Sequence, residues 1–286
     1  MTSKTIPPPA SPKKKRKLYV IILSLVAALM VLSGGFILGF YFYYSKDLPR
    51  LTSVRDYAPK VVTQVFSENG EVLAEFFVEK RYYISIEDMP TVLIEAFIAA
   101  EDARFFEHQG LDFFSIMRAM VKNISSMDIV QGGSTITQQV TKSLLLTPEK
   151  SYTRKIKEAI LAYRIEKSLS KSDILSIYLN EIYLGHRSYG VEAAARTYFD
   201  KSAAKLTLAE SALLAGLPKA PSAYSPIRHL KKAQRRQRYV LQRMVDSGYV
   251  TREEAREAAE TARGVGGPGG GERGGGAGGC GEGGGE

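Results

Sequence analysis

Cysteine is almost missing: the 286-residue chain has one, Cys280, within a glycine-rich tail. No disulfide can form within the chain, and no cysteine-based zinc site can be assembled. Acidic residues are outnumbered, 30 against 39 Lys and Arg, for a formal charge of +9. That balance suits a polyanionic partner, whether nucleic acid, an anionic membrane surface or a pyrophosphate-bearing substrate, and does not choose among them. Charge of either sign is absent from Leu18 to Tyr44, an apolar run longer than the roughly 20 residues a helix needs to cross a bilayer. Lys13, Lys14, Lys15, Arg16 and Lys17 stand immediately before it. By the positive-inside rule the N-terminus stays cytoplasmic and everything beyond Tyr44 crosses the membrane. The run is too long for a cleaved signal peptide and has no convincing small-x-small site at its end.

Residues 1–17 form a basic cytoplasmic stub whose Pro- and Ser-rich beginning has no hydrophobic period, 18–44 the transmembrane signal anchor, and 45–88 a stalk. In the stalk, Val61–Phe66 and Val72–Val78 are β-prone runs around Glu68-Asn69-Gly70-Glu71, and Asn-Gly is a strong hairpin signal. From Thr91 the apolar period is helical: Leu93, Phe97 and Ala100, then Ile156, Ile160 and Tyr163, then Ile174, Tyr178 and Ile182. The fold class is therefore mainly α, over a domain spanning 89–263. Thr207-Leu-Ala-Glu210 is a capping box, and Gly185 and Gly216 read as helix stops. Lys231 to Arg243 is a basic helical stretch, either a solvated face or a contact for anionic lipid headgroups. The glycine-dominated segment 264–286 cannot bury enough apolar surface to order itself.

Four clusters could carry chemistry. In the first, Glu101 and Asp102 end an apolar helix and lead into Phe105, His108 and Gly110. A carboxylate at the rim of an apolar pocket gains the raised pKa of a general base, although a solvated helix end would read the same way. In the second, Gly132-Gly133 opens a segment with Thr135, Gln139 and Lys142. Its donors and helix start suit sugar hydroxyls or phosphate oxygens, or make only a polar turn and cap; the spacing is not that of Walker A. In the third, Arg154, Lys155 and Lys157 surround Glu158 on a helix that continues to Glu166. Arg preceding Glu is the weaker order for a helical ion pair, so a pyrophosphate clamp competes with an ordinary surface bridge. In the fourth, Lys171 to Gly185 and on to Lys201, the apolar positions are core, with Asn180 and Tyr183 the candidate exceptions.

These strings, in this order, resemble the motifs of the family 51 glycosyltransferases, the glycan-polymerising domain of class A penicillin-binding proteins and of monofunctional transglycosylases. The resemblance runs from about Val61 to the segment ending at Pro226. It implies a lysozyme-like, mainly α domain with a smaller lobe touching the membrane and a cleft between lobes. It implies a peptidoglycan glycosyltransferase that joins lipid II units into β-1,4-linked strands by inverting displacement of polyprenyl pyrophosphate. By the same resemblance Glu101 is the general base and Glu158 the second catalytic carboxylate. Lys142 and Arg154 hold the pyrophosphate, and Asp102, Phe105, His108, Thr135 and Gln139 line the cleft or bind substrate. A divalent cation, Mg or Mn, is implied at the pyrophosphate, though no ligand cluster in the sequence points to one. The implied partners are lipid II, the nascent glycan strand, the cytoplasmic membrane and a cell-wall synthesis complex, with no nucleic acid. The domain is expected on the periplasmic side of the inner membrane.

Ser143 follows Lys142 where the family commonly has Asn. No K-T-G string accompanies Ser168-Leu-Ser-Lys171 or Ser202-Ala-Ala-Lys205, so these S-x-x-K strings do not announce a transpeptidase. The alternative reading is the front part of a bifunctional glycosyltransferase and transpeptidase. A hydrolase, which needs a general acid and has no use for clustered cations, suits the motifs less well. A membrane scaffold would leave Glu101 and Glu158 replaceable.

Overall fold

A computed structural model describes residues 12–46, 48, 63–69, 72–76, 79–126, 133–145 and 152–264. The expectations for the first residues of the stub and for the glycine tail beyond 264 lie outside the described residues. Helix α1 (Pro12–Ser45) is apolar and solvent-facing from Tyr19 on, with mean hydropathy 2.6, long and apolar enough to cross a membrane. It begins inside the basic stub, because Pro suits the first helical position and Lys and Arg are good helix formers. Strands β1 (Thr63–Phe66) and β2 (Val72–Phe76) pair antiparallel as the Asn-Gly signal implies, with a register irregularity between Val65 and Phe66.

The helical domain is built on α2 (Thr91–Glu101), whose sequence is apolar on more than one face and free of internal Gly or Pro. It buries Leu93, Ala96, Phe97, Ile98 and Ala99. Helix α3 (Phe113–Ser126) follows, then α4 (Ile136–Leu145), which lies against α5 (Tyr152–Ser168) and α6 (Lys171–Glu181). After α7 (Val191–Phe199), helices α8 (Leu208–Ala215), α9 (Pro226–Asp246) and α10 (Arg252–Gly264) pack together, with α8 and α9 also covering α2. One core joins Phe97, Ile136, Ile174, Tyr178, Leu214, Val240 and Met244. The capping box at Thr207 forms as its sequence implies, with Thr207 and Glu210 bonding each other's backbone N–H.

Three residues depart from the sequence reading. Gly185 is not a helix stop. Helix α6 ends at Glu181, and Gly185 closes β4 (Tyr183–Gly185), which pairs antiparallel with β5 (Ser188–Tyr189); β3 (Lys80–Arg81) lies parallel on its other side. Its φ of +95° serves the turn into β5. Asn180 is not an exposed exception but fully buried. Its Oδ1 accepts from the Ile84 N–H at 3.0 Å and its Nδ2 donates to the Ile84 and Ser176 carbonyls, fastening α6 to the chain entering α2. Tyr163 is 46% exposed: the core face of α5 is Glu158, Leu161, Ala162 and Ile165. The Ile156, Ile160 and Tyr163 stripe lies away from that core. On this second side the Arg164 guanidinium sits 5.7 Å from the Tyr41 ring at the end of α1.

Candidate active site

The last turn of α2 is an unusual place for a carboxylate. Helix C-termini carry partial negative charge, and the preceding turns of α2 are buried. Glu101 nevertheless ends this helix and lines a cavity of about 490 Å³ between α2, α3, α4, α5 and α9. Burial raises its pKa above the ordinary 4.5. The hydrogen bond from Gln139 pulls it back, as do the cations Arg236 and Lys219, while neighbouring Asp102 pushes it further up. Gln139 Nε2 donates to Glu101 Oε2 at 2.9 Å. The Arg243 Nε–H donates to the Ala99 carbonyl at 3.2 Å, which fixes the end of α2.

Asp102, one residue on, has a different job. Its oxygens lie 3.0 and 3.1 Å from His108 Nε2 and accept the Ile136 N–H at 3.0 Å, so it joins the end of α2 to the start of α4. Thr135 and Gln138 complete that start reciprocally: the Thr135 N–H donates to Gln138 Oε1, and the Gln138 N–H donates to Thr135 Oγ1. Thr135 Oγ1 also donates to the Gly110 carbonyl at 2.7 Å. The helix start read from the sequence as an anion site thus has its Ile136 and Gln138 N–H groups engaged within the protein. Phe105, fully buried, and His108 stand behind the cavity wall. The Lys171 ammonium lies 4.4 Å from the Phe105 ring and donates to the His108 carbonyl and to Glu166.

Across the cavity, Glu158 on α5 is buried and held by two cations. Arg154 Nη1 donates to its Oε1, and Lys155 Nζ donates to its Oε2 at 2.8 Å and to Ser134 Oγ at 2.9 Å. Lys142, on the exposed side of α4, lines the same cavity. The structure therefore brings seven of the nine sequence candidates, Glu101, Asp102, Thr135, Gln139, Lys142, Arg154 and Glu158, to one cavity and sets Phe105 and His108 behind it. Lys157 of the supposed three-cation clamp is not among the lining residues.

The sequence reading missed the contribution of α9. Arg236, Tyr239 and Arg243 line the cavity, together with Lys219 and Arg118. Their spacing of i, i+3 and i+7 marks one helix face, and that was the available signal inside a stretch read as a solvated face or a contact for anionic lipid headgroups. The Arg236 guanidinium lies 4.3 Å from the Tyr239 ring, and its Nε donates to the Gly216 carbonyl at 3.3 Å. Gly216 is small for this reason: a Cβ there would stand 2.8 Å from Arg236 Cγ. The lining carries seven basic and four acidic side chains, a surplus suited to an anion carrying several charges.

Among the described residues no group of three or more His, Cys, Asp or Glu side chains comes together as a metal site. The oxygens of Glu158 face Arg154 and Lys155, and those of Asp102 face His108 and the Ile136 N–H. No step below runs through a divalent cation. Neither S-x-x-K string forms a serine and lysine dyad. Ser168 Oγ donates to the Arg164 carbonyl, Lys171 is bonded to Glu166, and Ser202 Oγ donates to Glu192.

The family described as Transglycosylase matches residues 69–245. Penicillin-binding protein 1A of Vibrio cholerae serotype O1 is 49% identical over 218 residues, 76% of this chain and 26% of that protein. Penicillin-binding protein 1A of Neisseria flavescens is 47% identical over 211 residues, 74% of this chain and 26% of that one. The chain spans about a quarter of the length of these curated relatives. A crystal structure of penicillin-binding protein 1A from Haemophilus influenzae is 29% identical, covering 71% of this chain and 21% of that chain with a TM-score of 0.41.

Proposed function

The chain belongs to the transglycosylase family, the family 51 glycosyltransferases, and from that premise we propose that it polymerises lipid II into glycan strands. The observation that carries this reading is one carboxylate with raised pKa, Glu101, at the end of a buried helix and facing a cavity walled with cations. A base whose pKa approaches the working pH can take a proton and still be ionised beforehand. In the proposed step Glu101 removes the proton of the acceptor sugar's 4-hydroxyl. The freed oxygen attacks C1 of the donor sugar, the bond from C1 to the pyrophosphate breaks, and the anomeric centre inverts from α to β.

The leaving polyprenyl pyrophosphate gains charge as that bond breaks, so cations fixed before the reaction stabilise the transition state. Lys142, Arg154 and Lys155 are our candidates for that role, with Glu158 holding the last two in place. Arg236 and Lys219 stand nearer Glu101 and suit the acceptor side. Gln139, already donating to Glu101, orients the base.

Helix α3 supports a membrane-surface location. Ser115 and Arg118 face the cavity, Ala119 is buried, and Phe113, Phe114, Met117, Met120 and Val121 form a solvent-facing apolar stripe at helical spacing, each more than half exposed. With α1 as the anchor, that stripe would rest in the bilayer interface and bring the cavity to a lipid-borne substrate. We place the domain on the periplasmic side, following the basic residues before α1.

The test is binding and turnover of lipid II by Lys142→Ala and Arg154→Ala. A pyrophosphate is charged before it leaves and more so as it leaves, so each variant should lose both affinity and rate. Normal polymerisation by either would remove that residue from the site.

A further inference from the structure

The hairpin that follows α6 turns on two residues ill suited to it. His186 and Arg187 alone join β4 to β5, and both have positive φ, +49° and +61°. Turns of this kind draw Asn, Asp or Gly, because a Cβ crowds the left-handed backbone. The turn is nevertheless held from two sides. The Lys80 N–H donates to the Arg187 carbonyl at 3.0 Å, and the His186 ring stands edge-on to Tyr198 with centroids 5.7 Å apart. Strained backbone that its surroundings hold in place directs attention to its side chains.

Both side chains line a second cavity, of about 330 Å³, which Pro221 and Ser225 of the segment before α9 and Arg228 of its first turn complete. Ser225 is 1% exposed and occupies the N-cap position of α9, yet its hydroxyl caps nothing. Its Oγ lies 2.9 Å from His186 Nε2 instead, tying the turn to that segment. Among the described residues Arg187 and Arg228 have no ion-pair partner, and no carboxylate lines the cavity. The two cavities are neighbours along the chain. Lys219, which acts on Glu101 in the first, precedes Pro221 by two residues, at most about 7 Å of backbone.

We propose that this second cavity binds a carboxylate of the peptide stem that lipid II carries on its disaccharide, with Arg187 and Arg228 as its cations and His186 and Ser225 as hydrogen-bonding groups beside them. The proposal rests on lipid II being the substrate. The sugars of that substrate are neutral and its pyrophosphate has the cations of the first cavity, which leaves the stem's carboxylates as the anions still to be recognised. A guanidinium meets a carboxylate with paired N–H donors. An extended stem of about five residues reaches about 17 Å, ample for the step from Lys219 to Pro221. A lipid phosphate suits the place less well, since α1 and α3, the elements assigned to the bilayer, contribute none of the lining.

The experiment uses the full chain in detergent with ¹⁵N-labelled histidine, whose three residues give separable ring signals. The His186 signal is identified by its loss in His186→Asn. The probe is the soluble disaccharide-peptide without lipid or pyrophosphate, compared with the peptide-free disaccharide and with inorganic phosphate. The disaccharide-peptide should shift the His186 signal saturably, and the other two should not at equal concentration. Arg187→Asn combined with Arg228→Gln should weaken that binding about tenfold, the modest effect of exposed, screened ion pairs. Asn suits the left-handed turn, so Arg187→Asn alone should keep or raise the melting temperature, whereas a purely structural arginine would lower it. In polymerisation the double variant should raise KM about tenfold for intact lipid II, leave it unchanged for lipid II stripped of its stem, and keep kcat.

Because the probe is not turned over, the two readings separate. A chain that binds it but makes no strands would lose the proposed function and keep this site. No shift at His186, an equal response to phosphate or to the peptide-free disaccharide, or undiminished binding by the double variant would overturn the proposal. Should the double variant not fold, Arg228→Gln alone, at an exposed position, must still weaken binding, and unchanged affinity there would overturn it equally.

Discussion

Replacing Glu101 by Gln should make the protein more stable and nearly inactive, and the two effects have one physical origin. The change preserves side-chain size, and Gln139 can still donate to the amide oxygen in place of Glu101 Oε2. What disappears is a carboxylate whose burial raises its pKa. A folded-state pKa above the unfolded value means that the folded protein binds the proton more tightly. Below the ordinary value of 4.5 both states are protonated and the group contributes nothing. As the pH rises through the folded-state pKa, wild type loses stability that the Glu101→Gln variant retains. Each tenfold gain in proton affinity corresponds to about 1.4 kcal/mol, and for a domain of this size each kcal/mol moves the melting temperature by about 2–4 °C. The weaker hydrogen bond from Gln139 to a neutral amide offsets part of this, by about 1 kcal/mol. Thermal melts at pH 8 should place Glu101→Gln a few degrees above wild type, and the gap should close near pH 4. Turnover should fall by about 10²–10⁴-fold, the usual contribution of a general base. A variant less stable than wild type at pH 8, or a gap independent of pH, would refute the claim that Glu101 is held against its preference.

Other outcomes follow from the same geometry. Arg236→Ala removes a cation that lowers the pKa of Glu101, so the acid limb of the pH–rate profile should move to higher pH; an unmoved limb would separate Arg236 from the base. Gly190→Ala should destabilise the domain by about 2–5 kcal/mol in denaturant titration. The residue has φ +80°, and its added Cβ would stand 2.6 Å from the Asn180 carbonyl oxygen. Replacing Phe113 and Phe114 by Ser, side chains 69% and 74% exposed, should weaken binding of the domain to anionic vesicles while leaving its melting temperature within about 1 °C, as expected for surface positions. A large loss of stability would mean that the stripe packs within the protein.

Much of the site was legible because its signals are local. An apolar helix ending in two carboxylates, a polar segment leading to Lys142, and cations one turn from Glu158 can each be read within about ten residues, and the structure brings them to one cavity. What was not legible depends on contacts far apart in the chain. Asn180 looks like a polar exception until Ile84, 96 residues earlier, takes both ends of its amide. Asp102 has the composition of a binding residue, and only the approach of α4 shows that it caps the Ile136 N–H across 34 residues. The face of α9 that carries Arg236, Tyr239 and Arg243 was hidden by the many other cations of that helix. Composition announced charge there, but which side turned inward depended on packing against α2 and α8. Gly185 misled for a related reason, since a glycine with positive φ serves a strand turn as well as a helix end.

The most direct test of the account is the fate of lipid II incubated with the purified chain and, in parallel, with Glu101→Gln. Wild type should yield a ladder of muramidase-sensitive glycan strands, releasing one polyprenyl pyrophosphate for each disaccharide joined, and the variant should leave the substrate bound but unjoined. Intact lipid II with both proteins, free disaccharide without strands, or an equal ladder from Glu101→Gln would contradict it.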